Sequence, residues 1–172
     1  MKRIALLLLL SLFATSVAAE AVTTVILVRH AEKVPSESDD PPLSEAGTVR
    51  ANELARVLTG ARVSAIYATQ FKRTQYTAAP LAKALELEPK LIEARKKTTY
   101  AADVVRDILQ HHVGETVLVV GHSNTTVDVL RELGVKELPE IPESQYDDMF
   151  VVTVMRGAEP RMVALRYGAV RR

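Results

Sequence analysis

The chain has 172 residues, 48% hydrophobic and 25% charged, with a formal net charge of +1. That balance suits a globular chain, and the length fits one domain better than two. With no Cys, a disulfide framework, a lipidated cysteine, a thiolate nucleophile and a cysteine metal site are all excluded. No basic run interleaved with aromatics supports nucleic-acid binding.

Met1-Lys2-Arg3 is a short basic start, Ile4 to Phe13 an apolar run, and Ala14 to Ala19 a stretch of small residues. Basic, apolar, then small is the order of a secretory signal peptide. The apolar run is too short for a spanning helix, which needs roughly 18 to 20 residues. The expectation is a signal over 1–19, cut after Ala19 or Ala21, and one domain over 22–172. That places the mature chain in a periplasm or outside the cell, with no stable membrane association. Removing Lys2 and Arg3 leaves 20 basic against 21 acidic side chains, so the mature chain is close to neutral.

Val25-Ile26-Leu27-Val28 reads as a strand buried on both faces. Residues 32–43 follow as a polar loop with Asp39-Asp40-Pro41-Pro42, exposed yet close enough to the preceding strand to border a site. Ser44 then caps a helix to about Thr59, whose Ala46, Ala51, Leu54, Ala55 and Leu58 share a face, and Gly60 is expected to close it. Val63 to Thr69 is a second strand. Phe71 to about Leu87 has helical spacing, with Pro80 expected to kink or restart it. Lys90-Leu91-Ile92 is a short strand, Ala101 to His111 a helix, and Thr116 to Val120 another buried strand. Ser123 can cap the next helix, which runs to about Leu133. Residues 134–148 read as loop, and Met149 to Met155 and Met162 to Tyr167 as two late strands. Strands alternating with helices predict a three-layer α/β/α sandwich with a mostly parallel sheet. The last two strands are close enough to form an edge hairpin and make that sheet mixed.

Chemistry collects after the buried strands. The first runs into Arg29-His30, the second is followed by Lys72-Arg73, and the third leads into Gly121-His122-Ser123. Ligands of an open parallel sheet bind at the carboxyl ends of its strands, so two Arg and two His would meet at one rim. Arg matches phosphate oxygens bidentately and stays charged. A neutral His can attack phosphorus and split a hydrolysis into two displacements. The helix starting after Ser123 adds backbone donors for an anion.

Leu27-Val28-Arg29-His30-Ala31-Glu32-Lys33 resembles the nucleophile motif of the histidine phosphatase superfamily, the phosphoglycerate mutase-like fold, with Ala31 where Gly is usual. Tyr67 to Ala78 is similar to the family's second-Arg segment, Val119 to Ser123 to its second-His segment, and Leu43-Ser44-Glu45-Ala46-Gly47 to the start of its first helix. The resemblance spans about residues 24 to 155, in family order, and the compact size resembles small phosphohistidine phosphatases. It implies that His30 is the phosphorylated nucleophile and that Arg29, Arg73 and His122 form the phosphate pocket, with Ser123 beside them. It implies neither a metal nor a cofactor. Glu93, in Leu91-Ile92-Glu93-Ala94-Arg95, matches the position where many members carry a general acid, although the Gly-rich acidic continuation is missing. It fits a general acid and a solvated surface residue equally.

The implied activity is that of a histidine acid phosphatase-type phosphoric monoester hydrolase, exported, acting on a phosphomonoester or phosphoramidate. Its partner would be a small phosphorylated molecule or a phosphorylated protein. The alternatives are a non-catalytic phosphate-binding module and a phosphoglycerate mutase-like phosphotransferase, which would need a water-excluding lid. His111 and His112 read as structural, at a helix end where His suits the dipole. Lys72 reads as solvent-facing. Acidic residues in Gln145-Tyr146-Asp147-Asp148 would discourage extra phosphates on a substrate.

Overall fold

The computed structural model describes residues 20–95 and 99–169; the expected signal peptide lies outside them. Among the described residues six strands form one sheet in the order β3-β2-β4-β1-β5-β6. Strands β1 (Thr23–Arg29), β2 (Val63–Thr69), β3 (Lys90–Ile92) and β4 (Thr116–Gly121) are parallel neighbours. Strand β5 (Asp148–Val154) runs antiparallel to β1, and β6 (Arg161–Arg166) antiparallel to β5. The late hairpin therefore makes the sheet mixed.

Alternation along β1 divides the core. Val25 and Leu27 join Val104, Val105, Ile108, Val129 and Leu130 on one side of the sheet. Ile26 and Val28 join Leu54, Leu58, Ala78 and Leu81 on the other. Helices α1 (Glu45–Leu58) and α2 (Lys72–Leu85) thus cover one face, and α3 (Tyr100–His111) and α4 (Ser123–Glu132) the other. Strands buried on both faces need apolar residues at consecutive positions, which explains the unbroken aliphatic runs.

Helix ends depart from expectation in small ways. Ser44 caps α1, its side chain accepting the Gly47 N–H at 3.1 Å. Gly60 does not close the helix. A 3-10 turn over Thr59–Ala61 extends it, and Arg62 takes the left-handed conformation at φ 54° instead. Helix α2 begins at Lys72 and neither stops nor restarts at Pro80. Proline removes the hydrogen bond to the carbonyl four residues back, here Tyr76, a residue 48% exposed. His122, rather than Ser123, is the N-cap residue of α4.

Gly47 is fixed by contact. A Cβ there would stand 2.0 Å from the Glu32 carbonyl oxygen, so the first turn of α1 lies directly on the backbone following β1. Glu32 and Arg50 form a buried pair beneath it. Arg50 Nε donates to both Glu32 oxygens at 3.1 and 3.0 Å and Nη2 to Oε1 at 2.8 Å. Arg50 also donates to the carbonyls of Tyr167 and Ala169, at 2.9 and 3.1 Å. The segment after β6 is thereby tied to the segment after β1.

Candidate active site

Strands β1 and β4 end level with each other, Arg29 opposite Gly121. His30 continues the ladder, its N–H donating to the Gly121 carbonyl at 2.9 Å. A side chain at Gly121 would press on the Thr125 hydroxyl at 2.8 Å, so the bare backbone lets α4 start close to the strand. His30 and His122 thus face each other across two neighbouring strands, with ring centroids 5.3 Å apart. Arg73 enters from the first turn of α2. The cavity they share has a volume of about 200 Å³, and Arg29, His30, Lys33, Arg73, His122, Ser123, Asn124 and Glu143 line it.

The tautomer of His30 follows from its partner. His30 Nδ1 lies 2.8 Å from the Ala31 carbonyl oxygen; a carbonyl only accepts, so Nδ1 carries the proton and Nε2 keeps its lone pair. Burial, and after it the Arg29 and Arg73 charges, lowers the His30 pKa to about 3. The ring is therefore neutral at ordinary pH, with the Nε2 lone pair free of a proton. Thr77 secures this turn, accepting the Ala31 N–H at 2.9 Å and donating to the Arg73 carbonyl at 2.7 Å.

His122 is held similarly. The Thr74 hydroxyl donates to the carbonyls of Thr69 and Phe71, so between the Thr69 and Thr74 hydroxyls, 2.9 Å apart, Thr69 is the donor. Thr69 Oγ1 then accepts from His122 Nε2, 3.1 Å away. Burial, and after it the neighbouring His30, Arg73 and Arg29, lowers this pKa also to about 3.

The arginines are aimed by parts of the chain that local patterns do not connect. Arg29 is 2% exposed. Its Nη1 donates to the carbonyls of Pro142 and Gln145 at 2.9 and 3.1 Å, and its Nη2 to Glu143 Oε2 at 2.6 Å. Its guanidinium lies 4.3 Å from the centre of the Tyr146 ring. The buried Nε has no partner among the described residues. Arg73 lies over Phe71 at 4.3 Å and donates to the Asp39 carbonyl at 3.1 Å. Asp40 accepts the Lys72 N–H at 2.8 Å, supplying the anion at the start of α2 that Phe71 cannot. The Asp39-Asp40 loop therefore does more than border the cavity: it positions Arg73.

The structure thus brings Arg29, His30, Arg73, His122 and Ser123 together. It does not bring Glu93. That residue follows the edge strand β3, is exposed, and accepts the Arg95 N–H at 3.1 Å; it is absent from the cavity lining. Asp147 and Asp148 are not free to repel substrate phosphates, because both pair with Arg166, at 2.8 and 3.2 Å. His111 and His112 bond to Asp107 and Glu115 near the opposite end of β4, and Lys72 is exposed outside the cavity. Glu143, Asn124, Lys33 and the Arg29-binding carbonyls escaped the sequence reading. Only Lys33 carried a signal, being part of the nucleophile motif; Glu143 meets Arg29 across 114 residues.

Residues 25–98 match the model of the histidine phosphatase superfamily (branch 1). A search of curated protein sequences finds no match. Among solved structures the fold superposes on Bacillus stearothermophilus YhfR, with a TM-score of 0.65 and 18% identity over 82% of this chain and 95% of that one. The protein histidine phosphatase SixA, complexed with tungstate, gives 0.68 and 19% over 83% and 96%. Mycobacterial glucosyl-3-phosphoglycerate phosphatase gives 0.69 and 14% over 86% and 100%. At such identities the likeness is one of fold. The matched residues, the order of the strands and the fold agree in their likeness to the histidine phosphatase superfamily.

Proposed function

We propose that the chain is an exported phosphatase that hydrolyses a phosphomonoester or phosphoramidate through a phosphohistidine at His30. The observation that carries this reading is the fixed tautomer: a neutral imidazole whose Nδ1–H is engaged by the Ala31 carbonyl, inside a cavity lined by Arg29, Arg73 and His122. Nε2 attacks phosphorus, the N–P bond forms and the bond to the leaving group breaks. Water then attacks phosphorus, the N–P bond breaks and inorganic phosphate departs. The guanidinium groups neutralise charge on the phosphoryl oxygens in both steps.

With Glu93 outside the cavity, leaving groups that need little proton assistance are favoured, such as aryl oxides or the imidazole of a phosphohistidine. The fold shared with the protein histidine phosphatase SixA supports the latter. Export rests on the basic, apolar and small-residue order of residues 1–19.

The test is trapping with a ³²P-labelled aryl phosphate, quenched in alkali because phosphoramidates are acid-labile. Wild type should retain one label per chain and His30→Ala none. Equal labelling of both would refute the reading.

A further inference from the structure

Glu143 occupies the phosphate cavity in a way that neither the family resemblance nor the sequence foretold. Its Oε2 accepts from Arg29 Nη2 and its Oε1 from the Ser123 hydroxyl, both at 2.6 Å. It therefore spans the two groups, one at the end of β1 and one in the first turn of α4, that a phosphoryl group placed against His30 would use. The adjoining Arg29 Nε is buried and unpartnered. A phosphate that takes the Nε edge of this guanidinium meets Nη2 next, and finds a carboxylate there.

The two flanking anchors are of a different kind. The carbonyls of Pro142 and Gln145 hold the loop backbone on Arg29 Nη1, whereas the Glu143 side chain is 79% exposed. The carboxylate can swing into solvent by rotation about its own bonds while the loop stays in place. The Ser123 hydroxyl, and after it the Arg29 charge, hold its carboxyl below the usual range. In the free chain it is an anion, and two anions cannot share a cavity of about 200 Å³ without strong repulsion.

We propose that Glu143 is an internal competitor for phosphate: it occupies Arg29 and Ser123 in the free enzyme, is displaced by the substrate's phosphoryl group, and returns to expel inorganic phosphate after hydrolysis. The proposal rests on the phosphatase reading above. An internal competitor weakens the binding of any anion to the same donors, and for a phosphatase that includes the product. The side chain touches neither the nucleophile nor the leaving group, so it sets affinity rather than chemistry.

Calorimetric titration with inorganic phosphate, paired with p-nitrophenyl phosphate kinetics, tests this on the full mature chain. Glu143→Gln keeps the shape and removes the charge; Glu143→Ala removes both. Both variants should bind phosphate about two- to fivefold more tightly, the range expected for a solvent-exposed charge pair. KM should fall by a similar factor, and kcat should not rise. Unchanged or weaker phosphate binding in both variants would overturn the proposal. A fall in kcat with KM and phosphate affinity unchanged would also overturn it, and would make Glu143 a proton donor. Failure of the phosphatase reading looks different: His30→Ala would turn over like wild type, whatever Glu143 does.

Discussion

Replacing Arg50 by Ala takes the guanidinium away from a buried carboxylate. Arg50 and Glu32 are 5% and 8% exposed at the side chain, and Arg50 supplies hydrogen bonds to both Glu32 oxygens and to the carbonyls of Tyr167 and Ala169. Removing one partner of a buried pair costs about 3–5 kcal/mol, because the other charge stays buried with its guanidinium donors gone. For a domain of this size, where about 1 kcal/mol moves Tm by 2–4 °C, Arg50→Ala should melt about 6–20 °C lower. Out of a total stability of about 5–15 kcal/mol, that is a large share. Urea unfolding followed by circular dichroism gives the free energy, with an unchanged slope showing that two-state behaviour survives. The double variant Glu32→Leu, Arg50→Met should recover more than half of the loss, since no charge remains to be buried. One feature could defeat the argument: a groove of about 930 Å³ runs beside the pair and is lined by both residues. If Arg50→Ala unfolds within about 1 kcal/mol of wild type, water from that groove solvates Glu32 and the pair counts no more than a surface one.

Three further outcomes follow from the same geometry. His30 and His122 have folded pKa values near 3 against about 6.5 unfolded, so the unfolded chain binds more protons between those values; stability should fall as pH drops from about 6.5 towards 3, and His30→Asn with His122→Asn should flatten that slope in urea titrations. Gly47→Ala places a Cβ 2.0 Å from the Glu32 carbonyl and should cost about 2–3 kcal/mol by overpacking, whereas Gly60→Ala, with nothing within 4 Å, should be neutral or stabilising by up to about 1 kcal/mol; equal effects would remove the contact argument. Thr77→Val leaves the Ala31 N–H without its acceptor and should cost about 1–3 kcal/mol, with kcat reduced on p-nitrophenyl phosphate because the turn carrying His30 loosens; full activity would show that the turn is held elsewhere.

Much of the sheet was legible because burial on both faces forces unbroken aliphatic runs, which Val25 to Val28 and Thr116 to Val120 display. Ser44 could be placed as a cap from its position before the apolar periodicity. The cluster of Arg29, His30, Arg73 and His122 was legible because each lies at or shortly after the carboxyl end of a parallel strand, so that strand order gathers them at one rim. What failed was non-local. Gly60 looked like a helix terminator, yet Arg62 took that conformation because the chain needed one more 3-10 turn before β2. Glu93 occupies the expected place in the chain, but its strand lies at the sheet edge and leaves it in solvent. The shell around Arg29 comes from residues 142–146, in a stretch whose prolines and polar residues mark only a loop. No periodicity reports which backbone carbonyls such a loop will turn inward.

The bonds from Arg50 to the Tyr167 and Ala169 carbonyls couple the backbone after β6 to the carboxylate at Glu32, two residues from His30. A disturbance that pulls residues 167–169 away leaves the Arg50 guanidinium with part of its donor set unmet, and is felt at the turn carrying His30 while the sheet itself stays intact.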